Sequence, residues 1–222
     1  MNSRMRFVTE EVKRTYRSVR RAQQAAATQA AIVAAAREQF MTNGYAATAV
    51  ADIAAAAGVN VDTVYASVGR KPTLMLAVID ATLASADHPL AAEQRDYVQD
   101  VLAAPTARAK LATYAEALGR VMPKVSPLFD SLAQAALTDP ECAALRDSIG
   151  ARRAANMRQL AANLRSTGGL RPDLTDAEVA DLLWTTNAPE YYSLGVARGW
   201  SPAEYSNRLT DLWTRLFLDN AH

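Results

Sequence analysis

The chain is poor in side chains that make and break covalent bonds. Its 222 residues include two histidines, His88 before a proline and His222 at the end of the sequence, and one cysteine, Cys142. No GxSxG elbow, HExxH, phosphate loop or dinucleotide fingerprint occurs. Cys142 falls in the first turn of an expected helix, where a thiol can ionise more readily, but a small buried side chain is the role its setting favours. No catalytic residue, metal ligand set or cofactor is expected. The groups that could do chemistry are hydrogen-bond donors and cations concentrated in one stretch: Thr48, Asn60, Thr63, Tyr65, Arg70 and Lys71. Hydroxyls, amides and cations near helix ends suit phosphate oxygens and base edges.

Charge singles out the same stretch. The whole chain carries 24 Lys+Arg against 23 Asp+Glu, a net +1. Residues 1–71 hold ten basic and five acidic groups, a net +5, while the other 151 residues hold 14 and 18, a net −4. A basic N-terminal third is the footprint of a module that meets a polyanion, although a solvated helical face would by itself account for such a run. Half of the residues are apolar, which excludes a disordered chain, and no apolar run is long enough for a membrane span. A single cysteine excludes an intramolecular disulfide and fits a reducing compartment. With no apolar segment behind the basic N-terminus, a cytoplasmic protein is expected.

Helices must position these groups. The 47 alanines and only four isoleucines favour helix over strand, and no segment shows convincing strand alternation. Thr28 can cap a helix that carries Ile32, Ala35, Ala36 and Phe40 to Asn43 and stops at Gly44; the unbroken stretch Tyr16–Ala27 allows an earlier start. Thr48 opens a helix over 49–57 ended by Gly58, Asn60 caps one over 61–67, and Pro72 suits the first turn of a fourth. Further helices are expected at 93–103, 106–121, 124–137, from Asp139-Pro140 to Gly168-Gly169, at 176–197 and at 202–218. Capping boxes at Thr175–Glu178 and Ser201–Glu204 mark the last two starts. The fold class is all-α.

Residues Val50–Tyr65 carry the pattern of a helix-turn-helix. Ala54 is small enough for a close helix crossing, Gly58 supplies a positive φ, and Ile53, Val59 and Val64 face inward. Thr28–Asp80 resembles the N-terminal domain of the tetracycline-repressor-like (TetR/AcrR) transcriptional regulators. The matching residues are Ile32-Val-Ala-Ala-Ala36, Phe40, Asn43-Gly44-Tyr45, Thr48, Asp52-Ile53-Ala54, Ala57-Gly58-Val59, Thr63-Val64-Tyr65, Lys71 and Leu74. The charge distribution sets off a basic extension over 1–27, and the resemblance implies a three-helix DNA-binding domain over 28–71 and a helical ligand-binding and dimerisation domain over 72–222. It also implies a homodimeric repressor that leaves a palindromic double-stranded operator when a small-molecule effector binds, with an activator of the same fold as the alternative. Three positions depart from the family: Asp62 stands where Gly is frequent, Val68 where an aromatic residue is usual, and Pro72 where an acid is common.

On this reading Thr48 offers its hydroxyl and helix N–H groups to a phosphate, and by resemblance Tyr65 and Lys71 reach phosphates too. Asn60, Val61, Asp62, Thr63 and Ala66 lie on or near the groove face as base readers, and Arg70 could join either class. Asp62 either accepts from a cytosine N4 in the major groove or caps its helix and points away. Arg17, Arg20 and Arg21 share one helical face of the extension and are expected to add phosphate or minor-groove contacts.

The body holds most of the aromatic residues. Pockets in helical bundles lie between helices, and the expected lining is Tyr97, Tyr114, Met122, Phe129, Met157, Trp184 and Asn187. The last two helical regions are the expected dimer face, through Leu182, Leu183, Leu209, Leu212, Trp213, Leu216 and Phe217. Two other classes compete. An enzyme lacks the residues, and a helical scaffold whose basic head meets another acidic surface would show no sequence-selective retention of DNA.

Overall fold

The computed structural model describes residues 3–219, with side chains from Val19 onward. In chain order the helices are α1 (Ser3–Ala47), α2 (Val50–Ala56), α3 (Val61–Ser67), α4 (Lys71–Ala84), α5 (Asp96–Ala103), α6 (Ala107–Ala135), α7 (Pro140–Ser166), α8 (Asp176–Thr186), α9 (Pro189–Ala197) and α10 (Pro202–Phe217). A 3-10 turn, Ala92–Gln94, precedes α5. Among the described residues there is no strand, only an isolated antiparallel bridge between Leu170 and Leu218. That bridge ties the end of α10 to the loop after α7, with Arg171 N–H donating to Phe217 O at 2.8 Å.

Helix α1 passes through Thr28 without a boundary, because the alanine-rich stretch before it holds no breaker. It is interrupted at Gly44, whose φ of 74° is left-handed. Ile32, Ala36 and Phe40 of α1 are buried with Ile53, Ala54 and Val64 from α2 and α3 and with Leu74, Met75 and Val78 from α4. The α2–α3 turn closes as a Schellman motif. Gly58 N–H donates to Ala55 O and Val59 N–H to Ala54 O, with Gly58 at φ 67°.

Helix α6 is the axis of the body and touches α1, α4, α5, α7, α9 and α10. The sequence predicts two helices here, broken before Pro123; the structure has one 29-residue helix with Pro123 and Pro127 inside it. Each proline removes an N–H and crowds the preceding turn. Spaced four apart, however, both fall on the exposed side of α6, and Val121, Met122, Val125 and Leu128 around them are buried. Tertiary burial thus outweighs a local penalty of about 3 kcal/mol for each proline.

The region expected as one helix over 176–197 is two, α8 and α9. Ala188, held extended at ψ 145° by the following Pro189, makes the break. The expected helix from 93 begins at Asp96, after the 3-10 turn. Both capping boxes form: Thr175 N–H donates to Glu178 Oε2 at 2.7 Å and Ser201 N–H to Glu204 Oε2 at 2.8 Å.

Helix α10 lies close on α6 because Gly119 has no side chain. A Cβ there would sit 3.0 Å from Pro202 O and 3.1 Å from Ser206 Cβ. Gly119→Val is expected to push α10 outward at a cost of about 1–3 kcal/mol, and thermal unfolding followed by circular dichroism should show a midpoint lower by several degrees.

Candidate nucleic-acid interface and interior pocket

Helix α3 presents an exposed face ordered from its first turn. Asn60 Oδ1 accepts from Thr63 N–H and from the Thr63 hydroxyl, both at 2.7 Å. This takes the N-cap role, so Asp62 is not the cap: its carboxylate is exposed in the first turn of α3. Tyr65 is 47% exposed and Ala66 is exposed beside it, while Val61 and Thr63 are half-buried.

Tyr65, Arg70 and Lys71 gather around one open groove that also takes in Val50 at the start of α2, Gly69 and Pro72. A tyrosine hydroxyl, a guanidinium and an ammonium converging beside the start of α4 can bind an anion such as a backbone phosphate. The Lys71 ammonium lies 4.3 Å from the centre of the Tyr45 ring, a cation–π contact. Burial lowers the Lys71 pKa, and the neighbouring Cys142 and Asp139 oppose that shift. Tyr45 stacks on Phe40 at 5.7 Å, and its hydroxyl pKa is raised, mainly by burial.

Thr48 needs a correction. It is 2% exposed, its hydroxyl faces Gly44 O at 2.7 Å and Gln39 O at 3.1 Å, and its N–H donates to Tyr45 O. Both donors close the interrupted end of α1, and α2 starts two residues later, so the Thr48 hydroxyl is not offered to a phosphate. Arg20 and Arg21 are exposed on α1, where residues 19–27 are exposed throughout. The side chain of Arg17 lies outside the described residues.

Glu141, which no sequence pattern singles out, shares the groove. It sits in the first turn of α7, and its Oε1 lies 3.7 Å from Arg70 Nη1. Nothing local signals this contact, because 71 residues separate the two.

The residues expected around one ligand divide between two cavities. Tyr97, Tyr114 and Met157 line a mostly apolar cavity of about 120 Å³ with Ala92, Val98 and Leu102. The Tyr97 and Tyr114 ring centroids are 6.4 Å apart with planes 13° from parallel, and Tyr114 stacks in turn on Trp213 at 5.6 Å. Behind it the buried Asn187 amide donates to Tyr114 Oη at 2.8 Å, and Arg153 donates to Asn187 Oδ1 at 2.5 Å. Burial raises the Tyr114 hydroxyl pKa. Phe129 and Trp184 line a separate, open cleft with Arg153, Glu190 and Leu194. Met122 is buried in α6 and lines neither.

The expected dimer face also divides. Leu183, Leu209, Trp213 and Phe217 are fully buried within the chain, because α10 packs its apolar stripe onto α6; they are core and cannot meet a second copy. Leu212 and Leu216 are half-buried against that core, and Leu182 is exposed. Trp184, Leu194 and Val196 are exposed as well, and the sequence pattern does not assign these three to that face.

Residues 32–78 match the sequence profile described as bacterial regulatory proteins, tetR family. The head is similar to the N-terminal domain of the TetR family over these 47 residues. Solved structures extend the likeness over the body. FadR from Bacillus subtilis, solved with stearoyl-CoA, is 18% identical with a TM-score of 0.66, covering 84% of this chain and 97% of that one. NalD, the secondary repressor of the MexAB-OprM multidrug efflux pump in Pseudomonas aeruginosa, is 21% identical with a TM-score of 0.64, covering 87% and 98%. A TetR-family protein from Rhodococcus sp. is 16% identical with a TM-score of 0.69, covering 86% and 98%. At these identities the likeness is one of fold. No curated protein matches the chain in sequence. Among the described residues no helix is long and apolar enough to cross a membrane, and no cluster could hold a metal ion.

In a TetR-type head that uses this groove, the Glu141 carboxylate opposes an incoming phosphate and occupies Arg70. Glu141→Gln is expected to tighten DNA binding about two- to fivefold, the scale of an exposed ion pair, in fluorescence anisotropy at fixed low salt. Unchanged or weaker binding would place the phosphate path elsewhere.

Proposed function

We propose that the protein is a homodimeric, ligand-responsive repressor that binds a palindromic operator and leaves it when a small molecule enters the body. The observation that carries this reading is the shared helix α4. Its first residue, Lys71, lies in the anion groove beside α3, and its length is buried against α1 in the head and α6 and α7 in the body. A body event that moves α4 therefore moves the groove. The fold shared with NalD, a repressor, and with FadR, solved holding an acyl thioester ligand, supports repression and effector binding.

Within this reading Tyr65, Arg70 and Lys71 hold phosphates, and Asn60, Val61, Asp62, Thr63 and Ala66 meet bases. Asn60 keeps its amide N–H₂ for an acceptor on a base, since its oxygen is engaged within α3. With no hydrogen bond drawing it back onto α3, the Asp62 carboxylate suits a cytosine N4. The effector occupies the cavity between α5, α6 and α7. Its walls call for a compact, largely apolar compound, and any polar group it carries would lie near Tyr114, Asn156 or Gln159. The second copy covers exposed apolar side chains of α8 and α9, with Trp184 and Leu194 on the shared cleft.

Selection of bound DNA from a random library tests the regulator directly. The expected product is a palindrome with half-sites about one helical turn apart; recovery of no enriched sequence would favour the scaffold reading. Leu194→Glu should convert a dimer to a monomer by light scattering and weaken operator binding with it, whereas a variant that stays dimeric would move the interface off α9.

The extension contributes through charge. Seven of the ten basic groups of residues 1–71 lie in residues 1–27, and Arg20 stands roughly 18 Å along α1 from Ile32 at 1.5 Å per residue. Deleting residues 1–22 is expected to weaken operator binding and flatten its salt dependence by about 0.9 in log–log slope for each phosphate the extension neutralises. An unchanged slope would remove the extension from the interface.

A further inference from the structure

The two sides of the Tyr97–Tyr114 pocket each send one arginine to the same carboxylate on α4. Arg95 directly follows the 3-10 turn and caps α5, the segment that supplies Ala92, Glu93, Tyr97, Val98, Val101 and Leu102 to the cavity. Arg152 lies on α7 one turn before Asn156 and Met157, which line the opposite side. Their shared partner is Asp80, buried on α4. Arg152 grips it with both ends of its fork, Nη1 to Oδ2 at 2.9 Å and Nη2 to Oδ1 at 2.6 Å. Arg95 holds it through Nη2 alone, at 3.0 Å to Oδ1, with a second bond to Leu90 O at 3.2 Å. The Arg95 Nε is buried with no hydrogen-bond partner.

We infer that the Asp80–Arg95–Arg152 clasp is the element that passes occupancy of this cavity to the DNA-binding head, an inference that rests on reading the cavity as the effector site. The pocket is small, about 120 Å³, and open to solvent beside the exposed Glu93, Leu102 and Gln159, so an occupant too large for it either protrudes there or wedges α5 away from α7, and the second case loads the clasp. A guanidinium–carboxylate pair tolerates little displacement, because its strength depends on distance and on coplanar forks. Two arginines fixed to walls that separate cannot both keep their geometry on one carboxylate. The singly bonded Arg95 is the arm that yields. Once it does, the balance of forces on Asp80 changes, and α4 shifts toward the arm that still grips. Asp80 lies nine residues along α4 from Lys71, roughly 14 Å at 1.5 Å per residue, so a small tilt at Asp80 reaches the groove that holds Lys71, Arg70 and Tyr65. The clasp is a positioning device: it touches neither the DNA nor the cavity's contents.

The test replaces the unidentified effector by a side chain. Val98→Phe puts a ring into the cavity, and it is combined with Arg152→Gln, a partly exposed arm, and separately with Asp80→Asn. Hydrogen exchange of the α4 amides is followed without DNA, and operator affinity is measured with DNA selected by the wild-type protein. In the otherwise native chain Val98→Phe is expected to speed exchange over Leu74–Val78 and weaken operator binding tenfold or more. With the clasp already cut by either second substitution, Val98→Phe should add little to either reading, a coupling that a double-mutant cycle measures. Arg152→Gln keeps the test usable if Asp80→Asn unfolds the chain, which circular dichroism reports. Equal, additive effects of Val98→Phe in intact and cut backgrounds would overturn the clasp, and so would a filled cavity that leaves α4 exchange unchanged. If the wild-type protein selects no DNA, the regulator reading falls, while the exchange cycle still decides the clasp.

Discussion

A carboxylate taken out of water must be met by fixed charge, and Asp80 meets two guanidiniums. Asp80 and Arg95 are almost out of solvent, while Arg152 reaches the carboxylate from a partly exposed side chain, so losing either arm leaves Asp80 with half of its charged partners. This constraint fastens α4 both to the start of α5, 15 residues on from Asp80, and to α7, 72 residues on. Apolar burial could have joined the same helices, but without fixing their register, since apolar contact is non-directional. With the clasp in place, α4 takes one position along its own axis. That position sets where Lys71 and Arg70 stand relative to α3.

The second constraint is the closeness of α6 to its neighbours. A helix with prolines at 123 and 127 would fray in isolation; here α1, α4, α7, α9 and α10 hold it on several sides. Gly119 lets α10 approach to backbone distance, and α10 then buries Tyr205, Leu209, Trp213 and Phe217. The aromatic column Tyr97–Tyr114–Trp213 runs from the cavity into this contact. The pocket and the seat of α10 both follow from how α6 is surrounded.

The head is legible in the sequence because its signals are local. Asn60, Gly58 and the small Ala54 act within a few residues of themselves, and α3 spans 61–67 as expected. Thr48 misleads for a physical reason: a threonine before a helix is a usual N-cap, but the break at Gly44 leaves carbonyls that take its hydroxyl instead. The stripe Leu209, Trp213, Phe217 declares that one side of α10 is apolar. It does not declare whether α6 of the same chain or a second chain covers that side, and intramolecular burial takes it. Glu141 and the Arg152 arm of the clasp are invisible because pairing across more than 70 residues leaves no spacing to read, and the Arg95 arm, 15 residues from Asp80, reaches across a loop with no fixed period.

The division of charge into a +5 head and a −4 body describes composition but not surroundings. The start of α7 belongs to the acidic body, yet it lies near head cations: Glu141 is 3.7 Å from Arg70, and Cys142 and Asp139 oppose the lowering of the Lys71 pKa by burial. The potential at the groove is therefore the sum of head cations and body acids, and it changes whenever α7 moves relative to α4. Salt screens exposed pairs such as Arg70–Glu141 far more than the buried clasp. Electrostatic tuning at the groove should fade as ionic strength rises, while the mechanical link through Asp80 persists. The two routes from body to head thus differ in their response to salt, over and above the salt dependence of DNA binding itself.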